Sequence, residues 1–387
     1  MKLLRALLAA LPMVTVLALT AVLLPVWPAQ SAPGYRFTQI TDKYGGISKM
    51  KNNGHILWQR VDYQTWPDPS IKSLQIYKNG GSTPIVSSTI GQAAADFNNH
   101  DQAVWQQSYF SPSSVQYYDI YLYSNGQVTQ LTFAASDHLD HTGAMINNQG
   151  TIIWLETGMD VPRIAGAVSI NTPGGIDGSP CLNDRNEIVW SGKESSSDTY
   201  LQIFYYHGGT PEKLTVDAFN NKGPLINNRG DIVWAKADPA GYELWLRASG
   251  VSRKIGSYVG NRLPLPFVLN DQGQVAWINT TGRVYLYSGG TNTEISTDTY
   301  ADDTSRPAIN YRGQVLYQTS VFSQLALYSP GAGAAIIQNP PGNRHDLQLT
   351  DSGLVCWSGG ETTAPALFLG TPLGLKQAPV NYLLLGD

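Results

Sequence analysis

One octapeptide recurs along this chain and limits what it can fold into. Asn147-Asn148-Gln149-Gly150-Thr151-Ile152-Ile153-Trp154 returns as Asn227-Asn228-Arg229-Gly230-Asp231-Ile232-Val233-Trp234 and as Asn270-Asp271-Gln272-Gly273-Gln274-Val275-Ala276-Trp277. Aligning the looser copies on their final aromatic gives Trp58, Trp105, Trp154, Trp190, Trp234, Trp277, Tyr317 and Trp357, at spacings of 47, 49, 36, 44, 43, 40 and 40 residues. Eight units of about 43 residues match the period of a propeller built from four-stranded blades.

The chemistry inside each unit agrees. Asn at the first and Gly at the fourth position suit a type I turn closed by a left-handed residue, which makes the motif a hairpin. Asp101 and Asn186 replace that Gly in the second and fourth units, and both residue types tolerate positive φ. The Ile-x-Trp or Val-x-Trp that follows alternates as a half-buried strand does. Third strands are read at 120–123, 284–287 and 325–328, and fourth strands at 128–132 and 213–215. The segment 35–41 resembles a fourth strand yet precedes the first anchor, while the eighth unit lacks one. The fold expected is therefore all-β: a single propeller over residues 32–387, of eight four-stranded blades, its ring closed by the N-terminal strand. Seven blades is the alternative, because the 36-residue step after Trp154 has a poor third strand at 162–168 and the tail at 380–385 offers another closing strand.

Composition decides what surrounds that domain. Only 14% of residues are charged, against 38 Gly, 21 Tyr and 10 Trp, too aromatic for disorder and too Gly-rich for a helical bundle. Lys2 and Arg5, the uncharged stretch Ala6 to Trp27 and the small residues before Pro33 read as an export signal cleaved after Ser31, residues 1–31. An uncleaved membrane anchor is the alternative, since 22 apolar residues can span a bilayer. Both place the body outside the cytoplasm, secreted or in the bacterial envelope. Once the signal has left, 23 basic residues face 29 acidic ones, which argues against nucleic acid as a partner. Cys181 and Cys356 lie four units apart in apolar runs and are expected to be unpaired.

The phasing Leu-Thr, variable loop, Pro-x-Ile-Asn-x-x-Gly-x-Ile-x-Trp, Tyr-Leu-Tyr and Gly resembles the TolB-type propeller repeat, and also the tandem Asn-x-x-Gly repeats of exported bacterial proteins. The resemblance covers nearly the whole mature chain. It implies the propeller fold and leaves function open among periplasmic protein-binding modules, gating domains of prolyl-oligopeptidase-like enzymes and oligogalacturonate lyases. The usual Ser-Pro-Asp-Gly of the TolB-type repeat is Asn-x-x-Gly here, and the chain has room for neither an α/β nor a hydrolase domain.

Chemical motifs are few. The Asn270 octet resembles a sialidase-type Asp box, but three residues rather than two separate its Gly from its Trp. A Gly-x-Ser-x-Gly elbow, phosphate-binding Gly motifs and His-Glu-x-x-His do not occur. Sugar stacking can be entertained for Trp66, in a polar insertion, and for Trp245, which replaces a third-strand Tyr and reads first as structural. No cofactor is expected. A divalent metal held by Asp137-His138-Leu139-Asp140-His141 is the alternative to a solvated loop.

Loops joining a fourth strand to the next first strand vary in length and chemistry and meet at one rim of the channel. Counted back 11 to 15 residues from each anchor, they carry Asp140, His141, Asp177, Asn221, Arg262, Asp303, His345 and Asp346, the expected ligand-binding set. The leading reading is a monomeric, non-enzymatic exported propeller whose rim binds a protein or a cell-surface glycan, with no membrane span after signal cleavage. The competing reading is a polysaccharide lyase or metal-assisted hydrolase with His141 or His345 as base; a structural envelope component is the third.

Overall fold

The computed structural model describes residues 34–62, 71–88, 92–110, 116–157, 163–258, 266–279, 281–296, 306–319, 324–338, 345–361 and 364–373. The export segment, Trp66, Arg262, Asp303 and the tail at 380–385 lie outside them. Eight four-stranded antiparallel sheets follow one another, one per repeat unit, with strand order following chain order in the first seven. Blade 5 is representative, with strands Asn221–Ile226, Ile232–Asp238, Gly241–Ala248 and Val251–Tyr258. The first strands of neighbouring blades touch one another all the way round, so these strands line the central channel and the fourth strands face outward.

Blade 8 takes three strands from the C-terminal end, His345–Leu349, Val355–Glu361 and Ala364–Pro372, and its outermost strand, Tyr35–Thr41, from the N-terminal end. The pairing is antiparallel, with Tyr35 opposite Pro372, Phe37 opposite Gly370 and Gln39 opposite Phe368. The Tyr35 hydroxyl donates to the carbonyl of Gly353 at 2.9 Å, and burial pushes its pKa up to about 12. This closure leaves no broken sheet where the ring ends meet. The ring has eight blades because the short third unit still supplies outer strands, Arg163–Gly166 and Ile170–Asn171.

Hydrophobic packing is distributed. Among the described residues eight buried clusters occur, one at each blade-to-blade interface, with no shared centre. The repeated aromatic anchors explain why. Trp58, Trp105, Trp190, Trp234, Trp277, Tyr317 and Trp357 are all at most 3% exposed. Several stack on an aromatic directly opposite in the third strand, as Trp105 does on Tyr121, Trp190 on Phe204, Trp277 on Tyr285 and Trp357 on Phe368, with ring centroids 5.4–5.8 Å apart. The Tyr-Leu-Tyr signature of the third strand is thus the partner of the anchor, a cross-strand aromatic pair. Trp154 departs from the expectation and is only half-buried, because its blade has the shortest outer strands. Cys181 and Cys356 are free thiols. Among the described residues the one helix is the turn Ala134–Asp137, and none is long and apolar enough to cross a membrane.

Candidate functional site

The two ends of the ring are built differently. At one end stand the Asn-x-x-Gly turns. Within a turn the first Asn accepts, through Oδ1, the backbone N–H groups of the third and fifth residues; for Asn147 these belong to Gln149 and Thr151, at 3.0 and 2.9 Å. Its Nδ2 donates to the next blade's turn. Asn98 reaches the carbonyl of Asn147, Asn147 that of Asn183, Asn183 that of Asn227, Asn227 that of Asn270, Asn270 that of Asn310 and Asn310 that of Thr350, all at 2.8–3.0 Å. The second residue adds a parallel set. Asn148, Asp184, Asn228 and Asp271 accept, through their side chains, the backbone N–H of Asn99, Asn148, Asp184 and Asn228 at 2.8–2.9 Å. Turn geometry alone does not account for the constancy of the octet, because each Asn also fastens its blade to the next.

At the opposite end lie the rim residues. Asp177 is exposed, with its carboxylate 3.5 Å from Lys222 Nζ of the next blade. Asp346 is exposed at φ 54°, and Ser358 Oγ donates to its carboxylate at 3.2 Å. Asp140 is half-buried and accepts the backbone N–H of Tyr118; desolvation raises its pKa. For His345 the backbone alone is described, opening the first strand of blade 8 opposite Ser358.

Two of the expected rim residues do not face the channel mouth. His141 is 1% exposed, with Nδ1 3.4 Å from Asp119 of blade 2 and Nε2 3.6 Å from Glu156 of its own blade. Asp119 is wholly buried and accepts from Thr132 Oγ1 at 2.8 Å and from the N–H of Ala134 at 2.7 Å. Glu156 accepts from Trp154 Nε1 at 3.2 Å and from Arg163 Nε. This polar cluster spans the interface of blades 2 and 3. Asn221 is likewise sealed, accepting from Trp234 Nε1 at 3.0 Å and donating to Asp217 Oδ1 at 3.0 Å and to the carbonyl of Phe219 at 3.1 Å. A base at His141 therefore has no route to a polymer in this conformation. Among the described residues no group of three or more His, Cys, Asp or Glu side chains is placed to hold a metal ion.

Asn221 instead anchors a loop that roofs a cleft between blades 4 and 5. The cleft has a volume of about 230 Å³ and is lined by Leu214, Val216, Asp217, Trp234, Lys236 and Trp245 among others. Trp245 stacks on Trp234 at 6.3 Å and donates its indole N–H to Glu243 at 2.9 Å. Lys236 pairs with Asp217 at 2.8 Å and lies 5.2 Å from the ring centre of Phe219 and 5.5 Å from that of Trp245, a half-buried cation near two aromatic rings. At the lip, Val216 is 82% and Phe219 39% exposed. Sequence reading reached Trp245 and Asn221 but not Val216, Phe219, Asp217 or Lys236. The available signal was an apolar pair inside an otherwise polar fourth-to-first loop.

No protein-family model matches the chain, and no curated protein matches it. Its structure is similar to that of dipeptidyl peptidase 4 from Porphyromonas gingivalis, with TM-score 0.55 and 11% identity over 85% of this chain and 57% of that one. The chain thus spans little more than half of that enzyme's length. It is also similar to the β-propeller domain of the Trilobed protease from Pyrococcus furiosus, with TM-score 0.52 and 10% identity over 90% of this chain and 100% of that one. TolB from Acinetobacter baumannii is similar with TM-score 0.37 and 10% identity, over 82% and 80% of the two chains. The first two likenesses are likenesses of fold. The propeller expected from the TolB-type resemblance is present, while no family stands behind the grouping with tandem Asn-x-x-Gly proteins.

Proposed function

We propose that this protein is an exported binding module and that it holds a cell-surface glycan at its rim, through the cleft between blades 4 and 5. The observation that carries this reading is the composition of the cleft: a half-buried indole, an exposed phenyl ring at the lip and a hydrogen-bonding Lys236–Asp217 pair. Pockets that select small molecules combine apolar and aromatic walls with a few placed polar groups. At about 230 Å³ the cleft is smaller than a drug-sized pocket and suits one ring of a longer chain. An aromatic face packs against the C–H face of a pyranose while its hydroxyls meet the charged pair. The exposed carboxylates of Asp177 and Asp346 stand on the same face and offer further contacts along a polymer.

The test is a glycan array probed with the purified protein, followed by titration of any hit with Trp245→Phe, Phe219→Ala and Asp177→Ala. The expected result is saturable binding weakened about tenfold or more by Phe219→Ala and Trp245→Phe. Failure of every glycan to bind, or binding indifferent to both aromatic changes, would reject the cleft as the site. Degradation of a bound polysaccharide by the protein would move the assignment to the lyase or hydrolase reading.

A further inference from the structure

Two members of the turn ring break the pattern, and one of them brings a charge. Six of the eight turns begin with Asn, and each of those side chains bonds the following blade; the eighth begins with Thr350 and the first with Lys51. The backbone at Lys51 nonetheless follows the others. Its N–H donates to the carbonyl of His55 at 3.0 Å and its carbonyl accepts from Gly54 at 2.8 Å, as happens around Asn147. Only the side chain differs. An asparagine here would donate to the carbonyl of Asn98; the lysine turns into the channel instead.

There it lines a cavity of about 270 Å³ together with Asp96, Asn148, Asp184, Asn228 and Asp271. The lining comes from blades 1 to 6, so the cavity sits on the channel axis at the turn end, and it shares no lining residue with the rim cleft. Among the described residues nothing lies within hydrogen-bonding or ion-pair distance of the Lys51 ammonium. Lys51 is half-buried, and its side chain keeps contact with channel solvent. Desolvation lowers its pKa, opposed by Asp96 and Asp184 and reinforced by Lys49. Its three donors are used by no protein group among the described residues, so a molecule entering the cavity meets them free.

The carboxylates decide what that something is. Asp184 Oδ2 accepts from the amides of Asn148 and Asn228 at 2.9 and 3.0 Å, and Asp271 Oδ2 accepts from Asn228 at 3.0 Å. Asp184 keeps an acceptor site on Oδ1, which takes only the N–H of Asn148, and Asp271 keeps one on each oxygen, whereas both amide hydrogens of Asn228 are spent. Asp96, held by Lys49 at 3.3 Å and by the N–H of Ile146 at 3.0 Å, adds a third negative charge. A free anion would satisfy Lys51 but meet three carboxylates. Hydroxyl groups satisfy both, accepting from the ammonium and donating to Asp184 and Asp271. From this juxtaposition we infer that the turn end of the channel is a second binding site, for a neutral polyhydroxylated molecule the size of one sugar or cyclitol.

The inference is independent of the rim cleft and is tested by calorimetric titration of the full protein with myo-inositol, glucose and galactose, with inorganic phosphate and acetate as charged probes. At least one neutral probe is expected to bind saturably, and Asp271→Asn to weaken it about tenfold or more, the loss of a charge-assisted hydrogen bond. Lys51→Asn is the discriminating variant. Restoring the repeat residue is expected to raise the melting temperature by closing the ring to Asn98, and to abolish binding, while Phe219→Ala leaves it unchanged. No binding of any neutral probe, tighter binding of phosphate or acetate, or full binding by Lys51→Asn would each overturn the proposal. So would a fall in melting temperature in Lys51→Asn, which would make the lysine structural.

Discussion

Single residues in this molecule act mainly across blade boundaries. Trp234 is buried, stacks on Trp245 and gives its indole N–H to Asn221 of the same sheet. Trp234→Ala is expected to cost about 3 to 5 kcal/mol in a denaturant titration, as large-to-small core changes do. A Cβ on Gly256 would stand 2.7 Å from the ring of Trp277 in the next blade. Gly256→Ala therefore forces the interface apart and should cost about 1 to 3 kcal/mol, although the backbone itself tolerates alanine. His141 and Asp177 separate two kinds of rim position. His141→Ala removes the imidazole between two buried carboxylates and is expected to lower stability by more than about 1 kcal/mol. Asp177→Ala, on an exposed side chain, should stay within about 0.5 kcal/mol. Equal effects in the two variants would contradict the burial described above.

At the scale of the element, the closing strand and the turn ring carry the architecture. Deleting residues 34–41 strips the outer edge from Ala364–Pro372 and removes Tyr35 and Phe37 from the blade 7–8 cluster. Exposed edges template intermolecular pairing, so the truncated protein is expected to aggregate or to melt many degrees lower, measured by light scattering and calorimetry. A monomeric variant with unchanged melting would show that the ring does not depend on its seam. The turn ring predicts a smaller, local effect. Asn227→Ala loses the bond to Asn270 and leaves the N–H groups of Arg229 and Asp231 without their Oδ1 acceptor. Each buried donor left unmade costs about 1 to 3 kcal/mol, and amide exchange should quicken first in the turns of blades 5 and 6.

The whole molecule is an annulus of eight interfaces, and its response to acid follows from charges placed between them. Burial raises the pKa of Asp96, but Lys49, Lys51 and the N–H groups of Ile146 and Phe97 outweigh it and hold the carboxyl below its ordinary value. Asp101 is likewise lowered, desolvation being outweighed by His55 and Lys78. A carboxyl whose folded pKa is depressed contributes stability above its unfolded value near about 4, and that contribution is lost as pH falls through the folded value. Asp140 runs the other way, being raised mainly by desolvation, so its burden lightens on acidification. Asp62, beside Arg60 and Lys43, and Glu243, beside Lys254, are also held low, so the depressed carboxyls outnumber the raised one and predict a net loss of stability below about pH 4. Denaturant midpoints against pH should show it, with a shallower acid limb in Asp96→Asn; an unchanged limb would mean that Asp96 is not held as described.

Sequence alone determined the architecture, because the signals that define it are local and periodic. An octet present in eight close or loose copies, an aromatic every 36 to 49 residues and a fourth-strand pattern at 35–41 specify a propeller, and favour eight blades closed by the N-terminal strand over seven, without reference to any distant contact. What those local signals could not carry is the partner of each side chain across a blade boundary. The Asn that reads as a turn former is also a bond to the next blade, which depends on two turns some 40 residues apart meeting at one end of the ring. His141 and Asn221 sit at loop-to-strand junctions and read as exposed; the packing of blade 2 on blade 3, and of Trp234 beneath the blade 5 loop, buried them. The cleft joins residues 214–217 to residues 234–245. The channel cavity needs six blades before Lys51 has surroundings at all. Tertiary structure decided these because desolvation and hydrogen-bond satisfaction are properties of a closed ring, and no single repeat contains them.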